Sequence, residues 1–467
     1  MLINSKLKSI CYIFYILALV IVVSCSKKSK VPKITITTYN AEALKYPGKT
    51  IDIPEIQKLR YKEDFFRPWY HDSHKLVEFL EDYPGKKISY LQNYLADDAW
   101  YGENKQPHSL KQREHLVANV DTTTFPNFLR KGITIEHTNL RRLPTFKPGY
   151  DVFNKAGEGY PFDYFQETNI WANTPLHLLH LTEDKQWCYT VSPYYKGWIP
   201  MNSIAFVDDE FINSWTTPSF AFPIKDDIVL KNDKSTYAIN AKIGMPLPFE
   251  ENLNKNLINA FYTVSDQYKK AYILRASISK SDVAFDNFEF NAINLKGLVI
   301  ELLDKPYGWG GQLENRDCSS MIRDMLSTYQ VWLPRDSKDQ LNVGEHFDLE
   351  GTAEDKIKFI KENGIPFLTI LRKKGHNMLY VGDDENGIPL IFHSIWGLKS
   401  FYTDAVLSEY LDQYPIEGLH QDENGQIRSR FIIGKSVITS VKAGSEYAEI
   451  VEPIIDEIYA MTNYLKN

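Results

Sequence analysis

The chain has 467 residues, of which 43% are apolar and 24% charged, with 29 tyrosines and a formal net charge of −7. At roughly 100–200 residues per domain this length divides into two to four globular units, and the apolar fraction excludes a disordered chain. The acidic balance, with no basic block, excludes the electrostatic footprint of a nucleic-acid partner.

At the N-terminus, Lys6 and Lys8 precede an uncharged run from Ile10 to Val23. That run is shorter than the ~20 residues a spanning helix needs and suits the apolar core of a signal peptide. It ends in Val22-Val23-Ser24-Cys25, a small residue before a cysteine, which resembles a bacterial lipobox. Residues 1–24 therefore read as a lipoprotein signal peptide and Cys25 as the lipidation site. The expectation is an exported lipoprotein of the cell envelope, on the periplasmic side or the surface, held to a membrane through the lipid anchor only. An ordinary signal peptide with an incidental cysteine is the alternative. Residues 25–50, rich in Ser, Lys, Thr and Pro, read as a tether.

Residues 51–130 show helical periodicity, for instance Leu91-Tyr94-Leu95, and predict a helical N-terminal domain. From 131 the pattern changes to short strands with frequent turns, including Ile133–Ile135, Leu176–Leu181, Trp187–Val191 and Gly197–Pro200. This predicts one SH3-like barrel over 131–208 and a second over 209–285. Residues 286–440 are mixed. A helix at 292–303, a Gly-rich turn at 306–311 and an amphipathic helix from Cys318 precede strands at Phe367–Leu371, His376–Val381 and Leu390–Ile395. Helices followed by an antiparallel sheet give an α+β order. The stripe Ile450, Val451, Ile454, Ile455, Ile458 predicts a C-terminal helix over 441–467, with Pro453 as a kink.

If Cys11 leaves with the signal and Cys25 is acylated, Cys188 and Cys318 remain. An exported protein can pair them in a disulfide, or one is structural and the other reactive. No CxxC or HExxH pattern occurs, so no metal and no cofactor is expected. Cys318 opens a helix after a Gly-rich loop, where the helix N-terminus favours a thiolate. His376 and His393 lie on strands joined by a turn, so their imidazoles can meet, and a Cys–His pair needs a third group to orient the ring.

Five segments extend this pattern: Asp304-Lys305-Pro306-Tyr307-Gly308-Trp309-Gly310-Gly311, Arg316-Asp317-Cys318-Ser319-Ser320, Leu333–Gln340, Gly375–Gly382 and Phe392–Gly397. In this order and spacing the chain resembles the NlpC family of papain-like cysteine peptidases. Upstream, Tyr101–Asn104, Asn139–Thr145, Phe162–Thr168 and Gly197–Pro200 resemble a subgroup with a helical N-terminal domain and two bacterial SH3-like barrels before the peptidase. The resemblance implies hydrolysis of the γ-D-glutamyl–diamino acid bond in peptidoglycan stem peptides or muropeptides. It implies Cys318 as nucleophile, His376 as base and His393 as the residue that orients it. Asp317 and Ser319 would grip the free amine of an N-terminal L-Ala, helped by a tyrosine of the first barrel, Tyr164 or Tyr160. Trp309 would wall the cleft, while Arg335, Ser337 and Gln340 fix the loop after the helix. A narrowed cleft would suit released fragments, hence murein recycling by a monomer. A catalytically weak wall-binding lipoprotein, or an amidase on the same fold, are the competing readings.

Overall fold

The computed structural model describes residues 35–70, 85–96, 100–153, 155–232, 238–402, 416–421, 425–448 and 450–465. The expected signal peptide and Cys25 lie outside the described residues.

Among the described residues, three α-helices come first: α1 (Glu55–Tyr70), α2 (Gly85–Ala96) and α3 (Leu110–Val120). Tyr61, Phe65 and Trp69 recur every four residues, so α1 turns one aromatic face inward, and Trp69 Nε1 donates to Gly132 O at 2.8 Å. Ser109 caps α3 reciprocally with Gln112.

Seven strands follow: β1 (Arg130–Thr134), β2 (Thr138–Arg141), β3 (Gln166–Ile170), β4 (Pro175–Leu181), β5 (Trp187–Val191), β6 (Lys196–Pro200) and β7 (Ile204–Phe206). They form one antiparallel sheet in the order β3-β2-β6-β5-β4-β1-β7 around Leu140, Leu178, Cys188 and Ile199. The long β2–β3 loop is pinned by a buried Arg141–Asp163 ion pair at 2.6 Å.

Helix α4 (Asp209–Thr216) leads to β8 (Ser219–Pro223), β9 (Ile228–Lys231), β10 (Ala238–Ala241), β11 (Leu247–Glu251), β12 (Leu257–Ser265), β13 (Ala271–Ser279) and β14 (Val283–Ala284). A five-stranded sheet, β13-β12-β11-β8-β14, and the β9–β10 hairpin share a core built on Leu230, Ile239, Leu247, Ile258 and Tyr262.

The remaining elements are α5 (Ala292–Leu302), α6 (Cys318–Ser327), β15 (Glu345–Asp348), α7 (Ala353–Asn363), β16 (Thr369–Lys373), β17 (His376–Asp383), β18 (Pro389–Tyr402), β19 (Ile416–Gln421), β20 (Ile427–Ser440), α8 (Ile454–Glu457) and β21 (Ile458–Asn463). Their sheet runs β15-β21-β16-β17-β18-β20-β19, with α6 lying across β17 and β18. Met321, Ile322, Met325 and Leu326 of α6 meet Leu379, Val381, Phe392 and Ile438 of the sheet. The fold is α+β, as the order of elements predicts.

Two segments differ from their sequence expectation. The tail is not one helix over 441–467: among its described residues only Ile454–Glu457 is α-helical, and Ile458–Asn463 is a strand between β15 and β16. Pro453 supplies no N–H and confines any helix to the residues after it. Ala460, Met461, Thr462 and Asn463 are all buried, as in a strand covered on both faces, and an apolar run of that kind does not separate strand from helix. The expected tether over 25–50 is, from residue 35, part of the C-terminal α+β body. Ile36, Ala41 and Leu44 are buried, Tyr39 N–H donates to Ile438 O at 2.9 Å, and Tyr46 stacks on Phe367 at 5.3 Å. Its polar composition is that of a linker, but its few apolar residues each meet a core position.

Candidate active site

The loop before α6 turns back on itself at Gly310 (φ 58°) and Gly311 (φ 80°), a region that favours glycine. It docks on the first barrel. Gln166 Nε2 donates to Gly310 O at 3.0 Å, and Trp309 Nε1 donates to Asp163 O at 3.0 Å. A Cβ on Gly310 would stand 2.6 Å from Gln166, and one on Gly311 2.7 Å from Asn169. The barrel therefore fixes the approach to the helix that begins at Cys318.

Asp317 caps that helix. Its Oδ1 accepts from Ser320 N at 2.9 Å and from Ser320 Oγ at 2.8 Å, while Arg335 Nη2 donates to Oδ2 at 2.5 Å. Arg335 also donates to Ser319 Oγ at 2.8 Å and to Thr168 Oγ1 of the barrel at 2.7 Å. Burial works against the Asp317 charge, yet Arg335 and the Ser320 N–H hold the carboxyl below its usual value. Gln340 Nε2 donates to Ser319 O at 3.1 Å, and its Oε1 accepts from Asn377 Nδ2 at 2.9 Å, so the loop after the helix is tied to β17.

Cys318 is the first residue of α6 and is buried. Burial, and then the Asp317 carboxylate, push its thiol up to about 11, against the pull of the Asn377 and Ser319 N–H groups and Arg335. Burial and the Asp317 carboxylate thus both favour the protonated thiol. Cys188 is also a free thiol, buried in the barrel core and pushed up to about 12, so the two cysteines form no disulfide.

His376 starts β17 directly after the Lys374-Gly375 hairpin, and β17 lies under α6. Its Nε2 lies 2.8 Å from His393 Nδ1, and His393 Nε2 lies 3.2 Å from Thr439 Oγ1 on β20. Burial drives both imidazoles well towards the neutral form, His393 to about 3, and neighbouring Lys373 acts in the same direction.

A cleft of about 260 Å³ joins Asp317, Cys318, Ser319, Trp309 and Gly375 of this body to Tyr164 of the barrel. Tyr160 is not among its lining residues; it is 52% exposed and faces Trp396 at 6.0 Å. Tyr164 donates a short hydrogen bond to Glu158. Sequence reasoning missed Arg142, Glu167, Tyr195 and Tyr307 in the cleft, and Thr439 behind it. The β-branched run Val437-Ile438-Thr439 could have revealed Thr439 as part of a strand. A larger cavity of about 310 Å³ lies between α1 and β8, lined by Phe65, Phe66 and Phe220 but by no Cys or His among the described residues. Side-chain chemistry, not volume, selects the Cys318 cleft.

Three family models match the chain: the NLPC_P60 stabilising domain, N term, over residues 14–125, an SH3 domain of the SH3b1 type over 148–200, and the NlpC/P60 family over 304–386. Among solved structures, an NlpC/P60 endopeptidase from Photobacterium damselae subsp. piscicida superposes with a TM-score of 0.77 at 23% identity, over 94% of this chain and 99% of its own. An NlpC/P60 family protein from Bacillus cereus ATCC 10987 aligns at 15% identity over 72% of this chain and 100% of its own, with a TM-score of 0.44. No curated protein matches the chain. The chain thus carries an NlpC/P60 domain, of the cysteine peptidase class, behind an N-terminal stabilising domain and an SH3b domain.

Proposed function

We propose that this protein is a cysteine endopeptidase that hydrolyses the γ-D-glutamyl–diamino acid bond of peptidoglycan stem peptides, acting on fragments with a free N-terminal L-Ala. The observation that carries the reading is the single cleft holding Cys318, an acidic wall and the barrel. Among its lining residues Asp317, Glu167 and Asp336 oppose Arg142 and Arg335, an excess of carboxylate that suits an ammonium group. Tyr164 and Tyr195 come from the barrel and narrow the opening, which favours short fragments and a recycling role over intact wall.

The chemistry follows from the histidine pair. A neutral His393 with its proton on Nε2 donates to Thr439 Oγ1 and accepts at Nδ1 from His376 Nε2–H. That tautomer leaves His376 Nδ1 as the base. It removes the Cys318 proton as Sγ attacks the γ-carbonyl, so no resting thiolate is needed. Backbone N–H groups at the start of α6 meet the oxyanion. The C–N bond breaks, His376 returns the proton to the leaving amine, and a thioester remains. Water then attacks the thioester and gives a proton to His376, the C–S bond breaks to release the γ-carboxyl product, and His376 passes that proton to Sγ to restore the thiol. By the same reading the protein is a monomer of the cell envelope, anchored only through a lipid on Cys25, with peptidoglycan fragments and no nucleic acid as partners.

The test is to incubate the protein with L-Ala-γ-D-Glu-diaminopimelate and its N-acetylated form, with Cys318→Ala alongside, and to follow products by mass spectrometry. Release of L-Ala-D-Glu from the free-amine peptide alone, lost in the variant, is the expected result. Equal cutting of both peptides would remove the amine clamp. No cutting of either would overturn the peptidase reading in favour of a binding lipoprotein or an amidase.

A further inference from the structure

Strand β17 turns Leu379 and Val381 towards α6, and by alternation Asn377 shares their face. A helix-covered face calls for an apolar residue, yet Asn377 is a fully buried amide. Such a group is costly to bury unless its hydrogen bonds are made, and here both polar atoms are engaged. Oδ1 accepts from Arg372 Nη1 at 2.7 Å, and Nδ2 donates to Ser337 O and to Gln340 Oε1, each at 2.9 Å. Gln340, also fully buried, carries the link onward. Its Nε2 donates to Ser319 O at 3.1 Å, beside Cys318, and to Pro334 O at 3.0 Å. Arg372 is tied in turn to β21, where its Nε donates to Tyr459 Oη at 2.9 Å. The main-chain N–H of Asn377 acts on Cys318 Sγ and favours the thiolate, against burial and the Asp317 carboxylate. The paired register of β17 with β18 begins further on, at Leu379 and Phe392. The peptide unit that carries this N–H also carries the His376 carbonyl. One anchored side chain therefore holds both the donor to sulfur and the main chain of the base.

We propose that Asn377 is a positioning residue for the nucleophile: its side chain, acting through Gln340, clamps the first turn of α6 to β17 and keeps the Asn377 N–H on Sγ. This rests on the reading of Cys318 as nucleophile and on no feature of the substrate. As His376 removes the thiol proton, negative charge grows on sulfur, and a donor already fixed in place stabilises it without reorganising. The other charged or titratable groups facing Sγ are Asp317, Arg335 and Tyr307, with His376 on the strand of Asn377 itself. All of them stay in the chain in the variants that test the clamp.

The experiment follows alkylation of Cys318 by iodoacetamide from about pH 6 to 9, read on the Cys318 peptide by mass spectrometry, because the thiolate is the form that reacts. It uses the whole protein, Asn377→Val and Gln340→Met, with kcat and KM measured alongside on L-Ala-γ-D-Glu-diaminopimelate. Each variant is expected to slow alkylation by about 3- to 10-fold, since losing one hydrogen bond to a charged group lowers the thiolate fraction and partly offsets this by a more basic sulfur. Each should also lower kcat and leave KM unmoved. A merely structural amide predicts a lower melting temperature with alkylation unchanged, and that result overturns the assignment. If Asn377→Val does not fold, as circular dichroism reports, unchanged alkylation in Gln340→Met overturns it instead. A Cys318 that is not alkylated in the unaltered protein overturns its reading as nucleophile, and this assignment with it. An unaltered protein that leaves the peptide uncut overturns the γ-glutamyl reading alone, and the alkylation rates then decide the clamp.

Discussion

Arg335 reaches Thr168 in the barrel, Ser319 on α6 and Asp317 at its cap. Removing it strands a buried carboxylate, so Arg335→Met should cost about 3–5 kcal/mol in denaturant unfolding. Thr439→Val takes away the partner of His393 Nε2. It should cost about 1 kcal/mol of stability and lower kcat with KM unmoved, because the tautomer that leaves His376 Nδ1 free is no longer enforced. His376 and His393 also make a pH prediction, since burial keeps both neutral in the fold. Above about pH 6.5 neither state binds a proton at these rings. Below it the unfolded chain takes up protons that the folded one refuses. Stability should therefore fall as pH drops, by about 1.4 kcal/mol per pH unit for each ring. For His393 the loss continues down to about pH 3. Urea melts from pH 7 to 4 read the slope, and a flat profile would contradict the buried neutral pair.

Among elements, the Gly-rich loop matters because it is the seam between the barrel and the helix that begins at Cys318. Gly311 sits at φ 80° with the backbone N of Asn169 3.0 Å from a would-be Cβ. Gly311→Ala should cost about 1–3 kcal/mol and should weaken turnover of short peptides by shifting Tyr164 and Trp309 apart. The two hairpin strands that carry His376 and His393 were legible from their apolar runs, and so was the α6 stripe. The long β20 strand and the β21 strand were not. Nothing local tells Ile458–Asn463 from the end of an apolar helix, and its partners β15 and β16 lie far away in sequence.

Across the molecule, both ends of the described chain close the peptidase body. A chain stopped after Glu457 loses the strand between β15 and β16 and should yield no folded protein by circular dichroism. A chain begun at Ile51 loses the buried Ile36 and Leu44, each worth about 2 kcal/mol, and should melt at a lower temperature. If Cys25 carries a lipid, as proposed above, residues 25–34 separate it in sequence from the segment docked from residue 35. Fully extended they reach roughly 35 Å.

The amino-acid order alone was enough for the helix that presents Cys318, the histidine strands and the order of domains. These depend on short-range periodicity and on motifs whose residues are neighbours in the chain. It took the packed molecule to establish that Cys318 is buried beside the Asp317 carboxylate, that Arg335 pairs with Asp317, and that Tyr164 rather than Tyr160 lines the cleft. Packing also brought Arg142 and Glu167 beside Cys318, some 150 residues or more apart in the chain. Desolvation and ion pairing depend on which distant surfaces meet, and that is not written in any local stretch of sequence.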